Sequence, residues 1–201
     1  MEGKLNIARY SPRCTVLGPG RRAVLWVQGC RAGCPGCITP ETAVLPGGEF
    51  WTIEDLVNLF LSFENIEGIT LSGGEPMLQA DGLLLFAEEI RKRTSLSFMM
   101  FTGYTIEELL LHGSEAQKSL LKKMDILVDG PYIQERHADL IWRGSDNQRV
   151  LFIGDRYSEW KARMNERGVG IEVEFEHDTV HWMGIPPKGF RRQLEENIRK
   201  L

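Results

Sequence analysis

Residues 23–37 read AVLWVQGCRAGCPGC, a short apolar run that passes directly into a loop with three cysteines. A run that is apolar on both faces is typical of a strand buried within a sheet that is covered on both sides. Five further short runs are strand candidates, most of them with the same character: residues 69–72, 96–102, 125–128, 149–153 and 169–175. Helical segments lie between them, so the sequence predicts an α/β fold.

Three of the helical segments have recognisable starts. Thr52 precedes two acidic residues, while Thr105 and Ser114 each precede a Glu or Gln three residues later, as in a capping box. Strands joined by such helices run parallel through right-handed crossovers. Since a closed (β/α)8 barrel takes about 250 residues, we expect these 201 residues to form an open, partial (β/α)6 barrel with parallel strands.

Length and composition narrow the classes of protein. With 201 residues, of which 42% are hydrophobic, we expect a single domain over residues 1–201, with a core at about 22–175 and a C-terminal strand and helix extension at 176–201. The net charge of −4 gives no broad attraction to nucleic acid or to acidic lipid. The N-terminal residues lack a signal-peptide core and no apolar run could span a bilayer, so we expect a cytoplasmic protein.

The cysteine loop predicts a metal centre. Cys30, Cys34 and Cys37 are an odd number of closely spaced thiols, which cannot pair off as disulfides, and a reducing cytosol disfavours disulfides in any case. A cluster of four irons normally takes four thiolates. Three cysteines therefore leave one iron open, and an open metal position is where a substrate or cosubstrate can coordinate.

Two alternatives use the fourth cysteine, Cys14. In one, a non-enzymatic module binds zinc through four cysteines, as closed structural zinc sites do. In the other, the chain is an electron-transfer ferredoxin with four thiolates on its cluster. The four histidines show no spacing typical of ligands around the cysteines. Whether Cys14 supplies a fourth thiolate therefore distinguishes a closed metal site from a reaction site with one open iron.

Other residues that could take part in binding or catalysis follow the predicted strands. Gly73-Gly74-Glu75 comes after the second strand, Thr102 after the third and Asp129 after the fourth. Ligands bind at the carboxyl ends of strands in parallel sheets, so these residues are candidates for one site with the cysteines. Each has a structural alternative, since Thr102 could simply end a strand and Asp129 could form a turn.

The order Cys-x3-Cys-x2-Cys and then Gly-Gly-Glu-Pro, at residues 30–37 and 73–76, resembles the radical S-adenosylmethionine superfamily. The resemblance implies that Cys30, Cys34 and Cys37 bind one [4Fe–4S] cluster and that S-adenosylmethionine chelates its open iron. An electron from the cluster then cleaves the cosubstrate to a 5′-deoxyadenosyl radical. Gly73, Gly74 and Glu75 match the turn that binds the methionine amine. Many members have an aromatic residue before the third cysteine, where this chain has a glycine.

Within that superfamily, residues 34–42, 102–105, 125–132 and 140–149 resemble the activating component of anaerobic ribonucleotide reductase. The implied reaction removes a hydrogen atom from a backbone glycine of a partner, a glycyl-radical enzyme. An electron donor such as flavodoxin or ferredoxin is implied as well. By this resemblance, Thr102 and Asp129 lie near the cosubstrate. Whether a monovalent cation also binds there is not determined by the sequence. Arg143, Ser145 and Asn147 line its ribose and carboxylate side, although Arg143 could equally form a surface ion pair.

Two segments depart from this pattern. Residues 12–22 and 184–189 look closer to small single-cluster radical proteins whose partners are not defined. The departures leave open a second activity, in which the same cluster and cosubstrate act on a peptide or a small molecule. The C-terminal residues 191–201 are expected to form an ordinary docking helix.

Overall fold

A seven-stranded mixed sheet forms the centre of the computed structural model, which describes residues 3–164, 166–168, 170–176 and 179–198. Its spatial order is β3-β1-β2-β4-β5-β6-β9. These strands are β1 (Lys4–Cys14), β2 (Arg22–Val27), β3 (Glu49–Thr52), β4 (Gly68–Gly73), β5 (Ser97–Phe101), β6 (Ile126–Asp129) and β9 (Arg149–Phe152). Two hairpins lie outside the sheet: β7 (His137–Leu140) with β8 (Arg143–Ser145), and β10 (Gly170–Glu176) with β11 (Thr179–Ile185).

Five α-helices accompany the strands within the described residues: α1 (Ile53–Leu61), α2 (Ala80–Arg93), α3 (Ile106–His112), α4 (Glu115–Leu121) and α5 (Phe190–Ile198). The predicted starts are confirmed. The Thr52 hydroxyl accepts a hydrogen bond from the Asp55 N–H at 3.1 Å, and Thr105 and Ser114 each complete a capping box. No helix of the described residues is both long and apolar enough to cross a bilayer.

The α/β class is confirmed, with β2, β4, β5 and β6 pairing in parallel. The prediction of six parallel strands is wrong for the last two. β9 runs antiparallel to β6, with Asp129 opposite Arg149, because residues 130–148 contain a hairpin where a crossover helix would be needed. The run at 169–175, of which Val169 lies outside the described residues, forms β10 and pairs only with β11.

β1 and β3 were not among the predicted strands. β1 pairs antiparallel with both β2 and β3 and so extends the sheet beyond its parallel part. Register shifts interrupt its pairing with β2, and β-bulges of this kind break the alternation of apolar and polar residues that would reveal a strand.

The two faces of the sheet are covered differently. On the helical face, Phe60 of α1 and Phe86 of α2 pack edge to face at 5.2 Å between ring centroids, and Phe86 meets Phe98 of β5 at 6.3 Å. On the opposite face, Trp26 of β2 packs with Met183 of β11 in an apolar cluster. A hairpin, not a helix, therefore covers this second face beside β1.

The amino ends of the parallel strands are closed by Arg22, which is fully buried. Its guanidinium donates to the Thr70 hydroxyl at 2.7 Å, to the Ser97 hydroxyl at 2.9 Å and to the Ile69 carbonyl at 2.8 Å. Buried charges are tolerated when such hydrogen bonds satisfy them. Space for a ligand is consequently left at the carboxyl ends.

Candidate active site

A cavity of about 810 Å³ opens at the carboxyl ends of β2, β4 and β5. The residues predicted to bind the cluster and the methionine amine all line it: Cys30, Cys34, Cys37, Gly73, Gly74 and Glu75, together with Thr102. Asp129, Arg143, Ser145 and Asn147 do not belong to the lining, although their neighbours Gly130, Gly144 and Gln148 do. The structure thus brings seven of the eleven predicted residues together.

The cysteine loop leaves β2 through Gly29, whose φ of +100° is open to glycine and rare for other residues. The Gly29 N–H donates to the Thr42 carbonyl at 2.7 Å, which ties the start of the loop to its far side. Within the loop, the Cys37 N–H donates to the Cys34 carbonyl at 3.1 Å. All three cysteines are half-buried and free, so the loop presents thiols to the cavity without a disulfide.

The thiols of the loop affect one another. The pKa of Cys34 is raised, first by burial and then by the charges of Cys37 and Cys30, while the backbone N–H of Tyr132 opposes the rise. Thiolates held this close repel one another unless a cation lies between them, and metal binding supplies that cation.

Cys14 lies at the other end of the sheet. It pairs with Arg22 at the start of β2, whereas the cysteine loop follows the end of β2, about 16 Å along the strand at roughly 3.3 Å per residue. Cys14 is fully buried in an apolar cluster, and burial raises the pKa of its thiol to about 12. A closed site with four cysteines is therefore incompatible with this fold.

The donor set fits a cluster with three protein ligands. Within the described part of the chain, no three His, Cys, Asp or Glu side chains converge on one ion position. A [4Fe–4S] cubane does not require its ligands to converge on one position, because each thiolate binds a different iron. The half-buried thiols, the open cavity beside them and the remote Cys14 together match a [4Fe–4S] cluster with one open iron.

The turn after β4 packs directly against the start of the cysteine loop. The Gly74 N–H donates to the Val27 carbonyl at 2.8 Å, and the Glu75 N–H donates to the Gly29 carbonyl at 2.9 Å. A Cβ atom on Gly74 would lie 2.2 Å from the Gly29 carbonyl oxygen. Glycine is required here because the backbones of the turn and the loop touch.

Glu75 is 5% exposed and is held by three donors. Its Oε1 accepts from the Met77 N–H at 2.9 Å and from the Thr102 hydroxyl at 2.8 Å, and its Oε2 accepts from the Gly103 N–H at 2.8 Å. Burial raises the pKa of Glu75, and these three donors oppose the rise. A carboxylate has about four acceptor positions, so Oε2 retains one for a ligand's ammonium group.

Gly103 was not among the predicted site residues. Its N–H is one of the three donors to Glu75, and it lines the cavity. The only sequence signal is a glycine directly after a predicted strand, next to Thr102. Such a glycine is common in ordinary turns, so the signal is weak.

Asp129 has a different environment from that expected. Its carboxylate is fully buried, accepts from the Arg149 Nε at 2.9 Å and from the Ile106 N–H at 2.9 Å, and pairs with the second Arg149 nitrogen. Arg149 also binds Glu107. In this structure Asp129 therefore fixes the start of α3 to the end of β6.

Arg143, Ser145 and Asn147 hold the β7–β8 hairpin in place. Arg143 donates to the Met164 carbonyl, the Ser145 hydroxyl accepts from the Ile133 N–H at 3.2 Å, and Asn147 donates to the Pro131 carbonyl at 2.7 Å. Two of their atoms, Arg143 Nε and Asn147 Oδ1, are buried without a hydrogen-bond partner. These side chains support the cavity wall and do not form its surface.

Several aromatic and cationic side chains of the lining were missed by sequence reasoning. Arg9 of β1 stacks on Trp26 with 3.9 Å from its guanidinium carbon to the ring centroid, and it donates to the Trp182 carbonyl at 3.1 Å. Tyr132 and His137 also line the cavity, as does Trp182. Tyr132 falls within residues 125–132, which resemble the family, but no local pattern marks the others, because contacts distant in sequence bring them to the cavity.

Known proteins are similar in sequence over much of this chain. The family model described as "4Fe-4S single cluster domain" matches residues 16–151. The anaerobic ribonucleoside-triphosphate reductase-activating protein of Vibrio cholerae is 38% identical over 73% of this chain and 97% of its own length. Its namesake in Escherichia coli K12 is 35% identical over the same shares. The pyruvate formate-lyase-activating enzyme of Clostridium pasteurianum is 33% identical over 47% of this chain and 43% of its own length.

Proposed function

The chain belongs to the family of 4Fe–4S single cluster domains, and on this premise we propose that it generates a glycyl radical on a partner enzyme. The relatives named above are activating proteins of this kind. The observation that carries the proposal is the shared cavity of the three-cysteine loop and Glu75, with Cys14 at the far end of the sheet. One cluster and one cosubstrate fit this arrangement.

Cys30, Cys34 and Cys37 would hold the [4Fe–4S] cluster. When bound, the cluster supplies the electron that cleaves S-adenosylmethionine to a 5′-deoxyadenosyl radical, which can abstract a hydrogen atom from a glycine. The protein's own part is to orient the cosubstrate and to keep water away from the reaction. Thr42 accepts from the Gly29 N–H at the start of the loop, and the turn after β4 lies against that start, so these two segments would help to orient the cosubstrate and to exclude water.

Glu75 would bind the ammonium group of the methionine moiety through the free position of Oε2. Gly73 lets the backbone of the turn approach the end of β2, and Gly74 lets it approach the start of the cysteine loop, which would place that carboxylate beside the cluster. Thr102 and Gly103 hold Glu75 from the neighbouring strand. This hydrogen bonding favours the ionised carboxylate that an ammonium group requires.

The four remaining predicted residues would serve the cosubstrate indirectly. Asp129 fixes the segment that carries Gly130 into the cavity. Arg143, Ser145 and Asn147 fix the hairpin that presents Gly144 and Gln148 beside it. Backbone groups at these positions would then face the ribose and the carboxylate of the cosubstrate.

An open partial barrel would suit a protein substrate. The edge strands β3 and β9 do not pair with each other, so the sheet leaves an opening for a loop of the partner. We propose a flavodoxin or ferredoxin as the electron donor. The cytoplasm is the compartment that fits the free cysteines of the described chain.

The proposal is tested by electron paramagnetic resonance. The reconstituted protein is incubated anaerobically with the cognate anaerobic ribonucleotide reductase, S-adenosylmethionine and a reductant. We expect a glycyl-radical doublet on the reductase, and we expect its loss when the reacting glycine is replaced by alanine. Formation of 5′-deoxyadenosine with no doublet would exclude this target.

One observation favours a second candidate, an enzyme that acts on a peptide or a small molecule. Residues 180–190, which lie beyond the family match, line much of the cavity, where they would contact a small substrate. This candidate predicts 5′-deoxyadenosine formation that increases with the small substrate and does not respond to a glycyl-radical enzyme.

A further inference from the structure

The chain that follows β6 returns to the cysteine loop. We define residues 130–134 as the β6–β7 segment, since they lie between β6 and the short turn that precedes β7. Three of its residues, Gly130, Tyr132 and Gln134, line the same cavity as Cys34 and Cys37. The β6–β7 segment therefore borders the space that the cluster would occupy.

The β6–β7 segment contacts the cysteine loop at Gly36, the residue directly before Cys37. A Cβ atom built on Gly36 would lie 3.1 Å from Cδ and 3.3 Å from Nε2 of Gln134. The φ of Gly36 is +72°, a conformation that residues with a side chain rarely adopt. Because Gly36 has no side chain, the Gln134 carboxamide lies directly on the loop.

A second contact has the same alignment. The backbone N–H of Tyr132 faces the Cys34 thiol and opposes the rise of its pKa. Tyr132 thus lies beside Cys34, and Gln134 lies beside Gly36, two residues further along both stretches of chain. The β6–β7 segment therefore runs alongside the cysteine loop between its second and third cysteines.

Three hydrogen bonds from β8 and the residues after it hold the β6–β7 segment in place. Gln148 Nε2 donates to the Gly130 carbonyl at 3.1 Å, Asn147 Nδ2 donates to the Pro131 carbonyl at 2.7 Å, and the Ile133 N–H donates to the Ser145 hydroxyl at 3.2 Å. The backbone is thus fixed at three of the four positions before Gln134. The Gln134 side chain consequently starts from a defined point beside the loop.

The Gln134 carboxamide has donors to offer a ligand in the cavity. A carboxamide carries two N–H donors, and Gln134 makes no side-chain hydrogen bond within the described residues. The sulfur atoms of an iron–sulfur cluster accept hydrogen bonds, and these bonds help to set its reduction potential. Because the reduced cluster holds one more electron than the oxidised cluster, an N–H donor stabilises the reduced form more and raises the potential.

We propose that Gln134 is a further residue of the cluster site, whose carboxamide donates a hydrogen bond to a sulfur atom on the Cys37 side of the bound [4Fe–4S] cluster. The inference rests on the proposed function, because it takes Cys30, Cys34 and Cys37 as the ligands. It adds a residue from outside the cysteine loop that binds no iron. The effect of Gln134 is to raise the potential at which the cluster accepts its electron.

Pulsed electron paramagnetic resonance of the reduced cluster tests this bond directly. The protein carries ¹⁵N in its glutamine side chains and is reconstituted and reduced without S-adenosylmethionine. We expect a weak ¹⁵N coupling that is lost in Gln134→Leu, which keeps most of the bulk of glutamine and removes its donors. Gln193→Leu, the same change on an exposed residue of α5 outside the cavity lining, should retain the coupling.

A redox titration of the same variants gives a second readout. We expect Gln134→Leu to shift the equilibrium between oxidised and reduced cluster about tenfold toward the oxidised form, which is about 59 mV for one electron. Gln193→Leu should leave the potential unchanged. An iron content of about four per chain in both variants would show that the shift does not come from a damaged cluster.

Two outcomes would overturn the role of Gln134. The first is the absence of ¹⁵N coupling in the unsubstituted protein, or the same coupling and potential in Gln134→Leu. The second is a coupling that appears only after S-adenosylmethionine is added, which would assign the carboxamide to the cosubstrate. If a glycyl-radical doublet still forms on the partner in these cases, the proposed function stands. The expected coupling and potential shift without any doublet would instead contradict the proposed function alone.

Discussion

The Thr102 hydroxyl donates a 2.8 Å hydrogen bond to Oε1 of Glu75. The bond joins the end of one parallel strand to the turn after its neighbour, and both residues are 5% exposed. Glu75 also meets the cysteine loop through its own backbone N–H. A single carboxylate is therefore positioned from two strands, beside the loop that would hold the cluster.

Thr102→Val should weaken cosubstrate binding. Valine keeps the shape of threonine but cannot donate, so Glu75 loses one of three donors and its ionised form is less favoured. We expect the affinity for S-adenosylmethionine to fall about tenfold and the unfolding free energy to fall by about 1–2 kcal/mol. Calorimetric titration and urea unfolding measure the two effects. Thr102→Ser is the matched control, and equal affinities for the Val and Ser variants would show that the bond has no role in binding.

Gly74→Ala should disrupt the contact between the turn and the cysteine loop. The added Cβ would lie 2.2 Å from the Gly29 carbonyl oxygen, a clash with backbone that side-chain movement cannot relieve. We expect the unfolding free energy to fall by about 3 kcal/mol or more. Iron retention after reconstitution should fall as well.

Gly103→Ala is the control for this clash. Its Cβ would lie 3.4 Å from Glu75 Oε2, so a loss below about 1 kcal/mol is expected. Similar unfolding free energies for the two variants would contradict the close packing of the turn.

The four cysteines should differ in their effect on iron content. Cys34→Ala, and likewise Cys30→Ala and Cys37→Ala, should abolish the cluster after anaerobic reconstitution, because each removes one thiolate. Cys14→Ala should retain about four irons per chain and lose only packing, since Cys14 is buried at the opposite end of β2. Zinc at one per chain, lost in Cys14→Ala, would instead establish the closed site.

Stability at low pH should depend on Glu107. Its hydrogen bonds with Arg149 lower the pKa of Glu107 to about 2 in the folded protein, against about 4.3 in the unfolded chain. A carboxyl with a lowered folded pKa stabilises the protein above the unfolded pKa, and that stabilisation is lost as the pH falls from about 4.5 to about 2.

Glu107→Gln should therefore reduce the difference in Tm between pH 5 and pH 2.5, values chosen to bracket this window, in the metal-free protein. Glu115→Gln is the control, because the exposed Glu115 pairs with no residue of the described chain other than Lys118. An unchanged pH dependence in Glu107→Gln would show that the Arg149 pair is not formed in solution.

The sequence predicted the parts of the fold that local chemistry determines. Thr52, Thr105 and Ser114 start helices because their hydroxyls satisfy backbone donors within the same turn. The strands around the cysteine loop were evident because parallel strands buried on both faces are continuously apolar. Glu75 and the cysteines could be placed in one cavity because the carboxyl ends of parallel strands lie together.

The parts that depend on distant contacts could not be predicted in the same way. The direction of β9 is set by the hairpin before it, which places Arg149 opposite Asp129. The Asp129 carboxylate binds the Arg149 guanidinium because of that pairing, which the run of apolar residues does not reveal. Trp26 and Met183 are more than 150 positions apart in the sequence, and their packing in one apolar cluster places β11 and the loop after it at the cavity.

The most direct test of the central claim is the response of the reduced cluster to S-adenosylmethionine. Protein reconstituted and reduced without oxygen is measured by electron paramagnetic resonance before and after addition of the cosubstrate, and 5′-deoxyadenosine is then quantified. A cluster on Cys30, Cys34 and Cys37 with one open iron predicts a changed spectrum and formation of 5′-deoxyadenosine. An unchanged spectrum and no 5′-deoxyadenosine would contradict the account.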